Sequence, residues 1–309
     1  MSMKKTDFFF TSTTGDCEIH ATRYEGVDKK AIFQITHGMA EYIDRYEDFI
    51  ETLVEDGFVV YAHDHIGHGK SINDNYPLGY FGQDNGAGNI FVKDCKKLTD
   101  IAKQENPGLP VFFFGHSMGS FVARKYISLY GEDLAGAVIC GTGGPNPAAG
   151  IAIALANAFI KIKGAKAPGT VINNVAFGSY NNKTDKRTGF DWLTNKESIV
   201  DKYIADPLCG FCFSYQGFKD MLQMLKYINS KPCYNQTPAN LPIFLIAGEQ
   251  DPVGSYGKGV ETVATEYKKG HNNVTLKLYP NDRHELLNEL DKETVKADVI
   301  NWCNNLLGK

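Results

Sequence analysis

The chain has 309 residues, of which 43% are hydrophobic and 22% are charged. This composition is typical of a globular protein with a full apolar core, and it excludes disorder, because disordered chains bury too little apolar surface. The 32 basic and 36 acidic side chains give a net charge of −4, which leaves no broad basic surface for nucleic acid. The length allows one large domain or a domain that carries an insertion.

The first half of the chain alternates between short apolar runs and helical patterns. Residues 8–13 and 18–24 predict an antiparallel hairpin around a glycine-containing turn. Short apolar runs bounded by turn signals are typical of parallel strands that are buried on both faces. Such strands are predicted at residues 31–36, 58–62, 111–114 and 135–140. Helices are predicted between them, at residues 42–55 and 89–105.

The strand pattern stops after residue 140 and resumes at residue 241. A segment rich in glycine and proline, 141–147, is followed by about ninety residues of mainly helical pattern. Strands at 241–247 and 274–279 and a closing helix at 297–307 complete the chain. We therefore predict an α/β fold with a mostly parallel, doubly wound sheet. Its core would comprise residues 1–143 and 236–309, and residues 144–235 would form a helical cap, or lid, inserted into that core.

A Gly-x-Ser-x-Gly motif at residues 115–119 lies between a strand pattern and a helical stretch at 120–129. A sharp strand-to-helix turn would hold its central residue in a strained conformation, and side chains in place of the glycines would clash. The turn would raise the hydroxyl of Ser117 above the carboxyl edge of the sheet. The alternative is a glycine-rich turn with an incidental serine, and the strand–turn–helix context favours a nucleophile.

A serine nucleophile needs a base and a carboxylate that orients the base, and here they would follow in the order serine, acid, histidine. Asp251 lies just beyond the strand predicted at 241–247, and His284 lies just after the strand predicted at 274–279. Open α/β sheets form their sites at such strand ends. A turn aspartate and a surface histidine are the alternatives. The acids that compete with Asp251 are Glu249, Asp282 and Glu285.

An oxyanion hole is the third requirement of acyl transfer. One donor would be the backbone N–H of Met118, the residue after the nucleophile. The second would come from the loop after strand 31–36, where Gly38 lets the chain turn and the Met39 N–H point inward. Loss of one such donor typically costs about 3–4 kcal/mol of transition-state stabilisation.

Four further segments, together with the serine motif, carry a family resemblance. They are His-Gly-Met-Ala-Glu at 37–41, Ala-His-Asp-His-Ile-Gly-His-Gly-Lys-Ser at 62–71, Gln-Asp-Pro-Val at 250–253 and Arg-His-Glu at 283–285. Over essentially its full length, the chain resembles the monoacylglycerol lipase and lysophospholipase group of serine α/β-hydrolases. The resemblance implies an α/β-hydrolase fold with a helical lid, an ester substrate, and no metal or organic cofactor. It also implies a catalytic triad of Ser117, Asp251 and His284, with oxyanion donors at Met39 and Met118.

Glu41 and Arg45 align, in this resemblance, with polar positions near the alcohol-binding end of the site in monoacylglycerol lipases. The alternative is an ordinary i,i+4 ion pair on the first helix, worth about 0.3–0.5 kcal/mol. One departure concerns Leu287, because some members of the group have a second histidine there, one turn after the catalytic one. A glycerol head group and a simpler ester therefore both stay open.

Three histidines and a Cys-x-x-Cys pair are the remaining chemical signals. His63, His65 and His68 form a tight loop after a predicted strand, and no acid or cysteine set elsewhere completes a metal site, so a structural role is expected. Cys209 and Cys212 lack a second pair at zinc spacing and a thioredoxin-like context, so their spacing is interpreted as coincidental. We therefore expect no bound metal.

The sequence also bears on location. The N-terminal apolar run covers only residues 8–10, too short for the hydrophobic region of a signal peptide. The longest apolar stretch, roughly 148–160, is shorter than the ~20 residues that span a bilayer. Seven scattered cysteines favour free thiols in a reducing compartment. We expect a soluble, cytoplasmic protein.

The cap is expected to bury apolar surface and to line the substrate pocket. Its first helix, residues 151–164, is almost entirely apolar. Lys161 and Lys163 lie at its end, and Lys166 follows it. This helix would pack its apolar side onto the core, or rest transiently on a membrane surface and admit acyl chains; the two are compatible. Of the many cap aromatics, we expect most in the cap interior and a few along an acyl pocket.

We therefore predict an enzyme that cleaves fatty-acyl esters such as monoacylglycerols or lysophospholipids through an acyl-enzyme. A general short-chain carboxylesterase, a thioesterase and a proline-type aminopeptidase are alternatives within the fold. An aminopeptidase cap should present acids to a free amine, and the cap contains Asp185, Asp191, Glu197, Asp201, Asp206 and Asp220. A dehalogenase would have an aspartate in place of Ser117, and a non-catalytic binding module would usually lose a member of the triad, so both are disfavoured.

Overall fold

The computed structural model describes residues 3–83, 88–270 and 273–308, and a sheet of eight strands forms its centre. The strands are β1 (Lys4–Thr11), β2 (Glu18–Glu25), β3 (Ala31–Thr36), β4 (Phe58–His63), β5 (Val111–His116), β6 (Gly136–Cys140), β7 (Ile243–Gly248) and β8 (Val274–Tyr279). The helices are α1 (Glu47–Glu55), α2 (Asn89–Glu105), α3 (Met118–Tyr130), α4 (Ala149–Lys163), α5 (Thr170–Phe177), α6 (Glu197–Ala205), α7 (Tyr215–Ile228), α8 (Lys231–Gln236), α9 (Lys258–Lys268) and α10 (Lys292–Leu306).

The strand order across the sheet is β1-β2-β4-β3-β5-β6-β7-β8. Strand β2 is antiparallel to β1 and β4, and the other neighbouring strands are parallel. The direction of winding reverses between β3 and β5, so the loops that leave their carboxyl ends diverge and open a crevice. The predicted α/β-hydrolase fold, with its doubly wound, mostly parallel sheet, is confirmed.

Strands β3 to β7 are buried along their whole length, which explains their continuous apolar sequences. Alternate side chains of β5 contribute to the two faces of the sheet. Phe112 and Phe114 join the apolar cluster that includes residues of α1 and α10. Phe113 points to the opposite face, where its ring stacks on Tyr126 of α3 at 4.3 Å between centroids. The layers on both faces hold the central strands rigidly beneath the loops at their carboxyl ends.

Several predicted elements coincide with observed ones, and others differ at their boundaries, the first strand most clearly, since β1 covers Lys4–Thr11 rather than 8–13. The predictions for 31–36, 89–105 and 274–279 match β3, α2 and β8. Helix α10 begins at Lys292 rather than at residue 297. The helix predicted at 42–55 is divided into a 3₁₀ turn, Ile43–Tyr46, and α1. The Ile43 N–H donates to the carboxylate of Asp64 at 3.0 Å, so a loop from another strand fixes the chain at this point.

Helices α4 to α8 lie between β6 and β7, in the segment predicted to form the cap. The exact division at residues 144 and 235 stays a prediction, and residues 144–235 are called the cap segment below. Helix α4 packs against α7 and buries Ala156, whereas Ile151 and Ile162 are 75% and 77% exposed. Helix α4 therefore packs one side against the cap helices α7 and α5 and leaves the other side exposed, and its packing onto the core stays a prediction. Across the described ranges, no helix is both long and apolar enough to cross a membrane.

Candidate active site

Ser117 alone forms the turn between β5 and α3. Its φ of 54° lies in the left-handed region, which residues other than glycine rarely adopt. A Cβ atom on Gly119 would lie 2.2 Å from the carbonyl oxygen of Thr36, and one on Gly115 would lie 2.2 Å from the carbonyl oxygen of Gly119. Helix α3 therefore packs directly onto the backbone of β3, and both motif positions require glycine for steric reasons. The turn directs Ser117 into the crevice at the carboxyl edge of the sheet.

His284 and Asp251 form a buried hydrogen-bonded pair. The imidazole Nδ1 lies 3.0 Å from the carboxylate Oδ2, and the two residues are 2% and 0% exposed. The other carboxylate oxygen, Oδ1, accepts a hydrogen bond from the Val253 N–H at 2.8 Å. Because an ionised carboxylate only accepts hydrogen bonds, this contact assigns a proton to Nδ1 and leaves Nε2 as an acceptor in the neutral ring.

The sheet brings this pair to the nucleophile. Gly248 at the end of β7 is paired with Tyr279 at the end of β8, so the loops that carry Asp251 and His284 leave the sheet side by side. His284 and Ser117 both line one cleft. The structure thus brings together the three residues predicted to form the triad.

The three competing acids have other surroundings. Glu249 is exposed to solvent. Glu285 pairs with Arg45, both of whose Nη groups donate to its carboxylate. Burial, together with the negative charges of Asp291 and Glu289, raises the pKa of Asp282 to about 7. Of the four candidate acids, Asp251 is the one that contacts the His284 ring.

The two predicted oxyanion donors, Met39 and Met118, belong to segments that adjoin Ser117. Thr36 pairs with Gly115 in the sheet, and this register brings Gly38 next to the turn, where a Cβ atom would lie 3.1 Å from Cβ of Ser117. Met39 follows and lines the cleft, as does Met118. Met118 is the first residue of α3, where backbone N–H groups have no acceptor within the helix and carry partial positive charge.

Glu41 and Arg45 belong to a buried ionic network behind the turn. Arg45 Nη1 donates to Glu41 at 2.5 Å, and both Nη groups donate to the carboxylate of Glu285 at 2.8 and 2.7 Å. Glu41 also accepts from the Gly38 N–H at 2.6 Å. The i,i+4 ion pair of the alternative interpretation is present, but Glu41 precedes the 3₁₀ turn that contains Arg45, so the pair does not lie within the first helix. The network joins the loop after β3 to the residue that follows His284.

His116 extends this network to the turn itself. Its Nδ1 lies 3.3 Å from the Glu41 carboxylate, and its Nε2 lies 3.2 Å from the carbonyl oxygen of His284. Burial disfavours a charged imidazole, but the hydrogen bond and charge of Glu41 outweigh it and raise the pKa of His116. Both ring nitrogens thus face acceptors, as a protonated imidazole requires. His116 connects the loop of Glu41 to the backbone of His284.

A cleft of about 750 Å³ opens over Ser117, between the sheet and the cap segment. Its volume lies in the range of pockets that enclose small organic ligands. Its apolar lining includes Phe121, Phe177, Leu222, Leu225 and Val253. The ring of Trp192, from the cap segment, lies 5.1 Å from the ring of His284. The sequence identified this tryptophan only as one of many cap aromatics, because no local pattern indicates a contact across 92 residues.

The histidine loop is buried beside α2, and the structure adds one residue to it. The Sγ atom of Cys95 lies 3.9 Å from Nε2 of His63, so a cysteine does lie beside these histidines, contrary to expectation. The Nε2 atom of His65 is already hydrogen-bonded to the Thr36 hydroxyl at 2.7 Å. Burial lowers the pKa of His63 to about 3 and keeps its ring neutral. The structural role of the loop stays a prediction. All seven cysteines, including Cys209 and Cys212, are free thiols.

Comparison with known proteins identifies the family. Residues 27–291 match the Hydrolase_4 family, described as serine aminopeptidase, S33. The chain belongs to this family. This Hydrolase_4 protein is 27% identical to a monoacylglycerol lipase of Mycolicibacterium smegmatis over 305 residues, which cover 98% of each chain. It is also 27% identical to the monoglyceride lipase of Homo sapiens, with 89% of this chain and 82% of that protein covered.

A solved structure extends the comparison to three dimensions. A highly thermostable carboxyl esterase from Bacillus coagulans, in complex with glycerol, superposes with a TM-score of 0.91 and 31% sequence identity. The superposition covers 99% of this chain and 100% of the esterase. The family resemblance seen in the sequence is confirmed, and this Hydrolase_4 protein is a serine ester hydrolase.

Proposed function

We propose that this hydrolase cleaves fatty-acyl esters, with monoacylglycerols as the first candidate and lysophospholipids as the second. The observation that carries the proposal is the large, mostly apolar cleft that opens at Ser117. An acyl chain placed there would leave water and be stabilised by about 25 cal/mol per Å² of apolar surface buried. The names of the relatives, a monoacylglycerol lipase and a monoglyceride lipase, support this substrate class.

We propose that Ser117 is the nucleophile, His284 the general base and Asp251 the carboxylate that orients the base. Because Nδ1 of His284 donates to Asp251, Nε2 would take the proton of the Ser117 hydroxyl as its oxygen attacks the ester carbonyl. The N–H groups of Met39 and Met118 would stabilise the resulting oxyanion. His284 would then protonate the departing alcohol, and water would release the fatty acid from the acyl-enzyme by the same route.

The charges around the cleft favour an ester over a peptide with a free amine. Among the described residues that line the cleft, none is one of the six cap acids proposed for an aminopeptidase. Glu41 and Glu285 do line it, but both are paired with Arg45. An ammonium group would therefore find no unpaired carboxylate to offset the loss of its hydration.

We further propose that Glu41 and Arg45 form the polar wall on the alcohol side of the scissile bond. Both line the cleft beside His116, and their ionic network fixes their positions. A hydroxylated leaving group would find hydrogen-bonding partners there, whereas the acyl side is apolar. Arg45→Lys, which keeps the charge, should then reduce cleavage of a monoacylglycerol more than cleavage of a nitrophenyl ester with the same acyl chain. Equal losses would contradict this role.

The exposed side of α4 supports a proposal of transient contact with lipid surfaces. Three exposed apolar side chains lie on one face of this helix, because Leu155 and Ile162 follow Ile151 by four and eleven residues. Lys161 and Lys163 flank this stripe and suit an anionic membrane. The free thiols support a reducing, cytoplasmic location. Sedimentation with anionic vesicles should decrease when Ile151 and Ile162 are both replaced by Asn, and unchanged sedimentation would contradict the contact.

The substrate proposal is tested by comparing wild type with Ser117→Ala on one panel of substrates. The panel holds monoacylglycerols, lysophospholipids, nitrophenyl esters of increasing chain length and proline-terminated amides. We expect the highest kcat/KM on a medium- or long-chain monoacylglycerol and loss of that activity in the folded variant. Activity on short esters alone would indicate a general carboxylesterase, and amide cleavage would indicate a peptidase. Activity retained by Ser117→Ala would overturn the mechanism.

A further inference from the structure

The carbonyl oxygen of Ala40 connects the cap segment to the loop that carries Met39. It accepts one hydrogen bond from the Tyr203 hydroxyl at 3.1 Å and another from the Gly210 N–H at 3.0 Å. Both donors belong to the cap segment, whereas Ala40 immediately follows the proposed oxyanion donor. The cap therefore contacts the backbone of the oxyanion loop directly.

Ala40 has a backbone conformation that needs such support. Its φ of 53° is in the left-handed region, which costs an alanine energy and persists only where surrounding contacts impose it. On the other side of Met39, the Gly38 N–H is held by the carboxylate of Glu41 at 2.6 Å. The two neighbours of Met39 are therefore held by hydrogen bonds, Gly38 from the core and Ala40 from the cap. Only the bonds to Ala40 depend on the position of the cap.

Tyr203 is itself held rigidly. It is 6% exposed, and its ring packs against the Arg45 guanidinium at 4.9 Å and the Phe190 ring at 5.2 Å. Arg45 is in turn fixed by two carboxylates. Burial raises the pKa of the Tyr203 hydroxyl, so the group remains a hydrogen-bond donor at neutral pH. The direction of its hydrogen bond to Ala40 is therefore well defined.

We propose that Tyr203 is a positioning residue through which the cap completes the oxyanion hole. The inference rests on the proposed role of the Met39 N–H. Placement of the cap and assembly of the oxyanion hole would be one event, so cap position would set kcat even for an ester too small to reach the acyl pocket. A ligand or surface that shifts the cap would change the rate of the chemical step as well as substrate binding.

Tyr203→Phe tests the inference because it removes one hydroxyl and keeps the ring. Tyr42→Phe is the matched control: its hydroxyl also joins this loop to the cap, by donating to Asp206 at 2.8 Å, but it does not contact the Ala40 carbonyl that follows Met39. The kinetic substrate is p-nitrophenyl acetate, whose acyl group is too short for the acyl pocket. A methyl trifluoromethyl ketone, which forms an anionic adduct with an active serine, reports on oxyanion binding. Titration with a fluorophosphonate counts the competent active sites, and thermal unfolding reports on the fold.

We expect Tyr203→Phe to lower kcat on p-nitrophenyl acetate roughly 3- to 10-fold, because one hydrogen bond is lost. The affinity for the trifluoromethyl ketone should fall by a similar factor. KM and the count of active sites should change little, and Tyr42→Phe should resemble wild type. Equal losses in both variants would overturn the inference, because general tethering of the cap would explain them. A raised KM on long-chain esters with unchanged acetate kcat would also overturn it. Wild type that is inactive on every ester would instead refute the proposed function.

Discussion

Asp251→Asn replaces one oxygen of a buried pair with an amide nitrogen, and the structure determines which oxygen is replaced. Oδ1 accepts from the Val253 N–H at 2.8 Å, and Oδ2 lies 3.0 Å from Nδ1 of His284. Only the amide oxygen can accept from the Val253 N–H, so the new NH₂ group faces His284. It would donate to Nδ1 and place the imidazole proton on Nε2. The lone pair that should accept the Ser117 proton is then absent.

The expected loss is large because two effects combine. The prevailing tautomer becomes the wrong one, and the imidazolium formed in the transition state loses its neighbouring negative charge. In the Ser-His-Asp template, the same exchange lowers kcat about 10⁴-fold, equal to roughly 5.5 kcal/mol. Asp251 is 0% exposed, so solvent cannot replace the lost charge. We expect a loss of about 10³- to 10⁴-fold here as well.

The assay is kcat on a nitrophenyl ester at neutral pH, with thermal unfolding to verify the fold. Asp282→Asn is the matched control, since it makes the same chemical change in the loop that leads to His284 without altering a contact to the imidazole ring. It should retain activity within about twofold, a change too small for loss of a triad member. A loss of less than about tenfold in Asp251→Asn, or an equal loss in the control, would refute the assignment of the acid.

Two further predictions concern stability. Arg124 is 0% exposed and donates to the carbonyl of Gly143, just before the cap segment, at 3.0 Å and to the carbonyl of Ile228, at the end of α7, at 2.6 Å. Arg124→Met should lower the free energy of unfolding by about 3 kcal/mol in urea, because buried acceptors lose their donors. Arg23→Met, which removes partly exposed ion pairs on β2, should cost at most about 1 kcal/mol, and equal costs would contradict this reasoning. The pKa of Asp282 rises from 3.8 in the unfolded chain to about 7 in the folded one. The folded chain therefore binds more protons in that window, and its stability falls as the pH rises. Asp282→Asn should raise Tm more at about pH 8 than at about pH 5, and the reverse order would refute the shift.

Much of this site follows from local sequence. The glycines at 115 and 119 indicate the turn at Ser117, because the contact of α3 with β3 leaves no space for a Cβ atom. Asp251 and His284 could be predicted from their positions after apolar strands. Parallel strands bring their carboxyl ends to one edge of the sheet, so residues far apart in sequence meet there without any local pattern that pairs them. The order of elements and the candidate triad could therefore be predicted from the sequence alone.

Contacts between layers were decided only by the tertiary structure. The bond between Arg45 and Glu285 spans 240 residues, and Glu285 entered the sequence analysis only as a competing acid. The approach of Cys95 to His63, and of Tyr203 to Ala40, likewise has no counterpart in spacing or composition. Such contacts depend on the angle and distance at which helices pack, and these are set by the summed burial of many side chains. The topology of a parallel sheet places the carboxyl ends of its strands at one edge. The contacts between cap and core depend instead on how well their surfaces pack against each other.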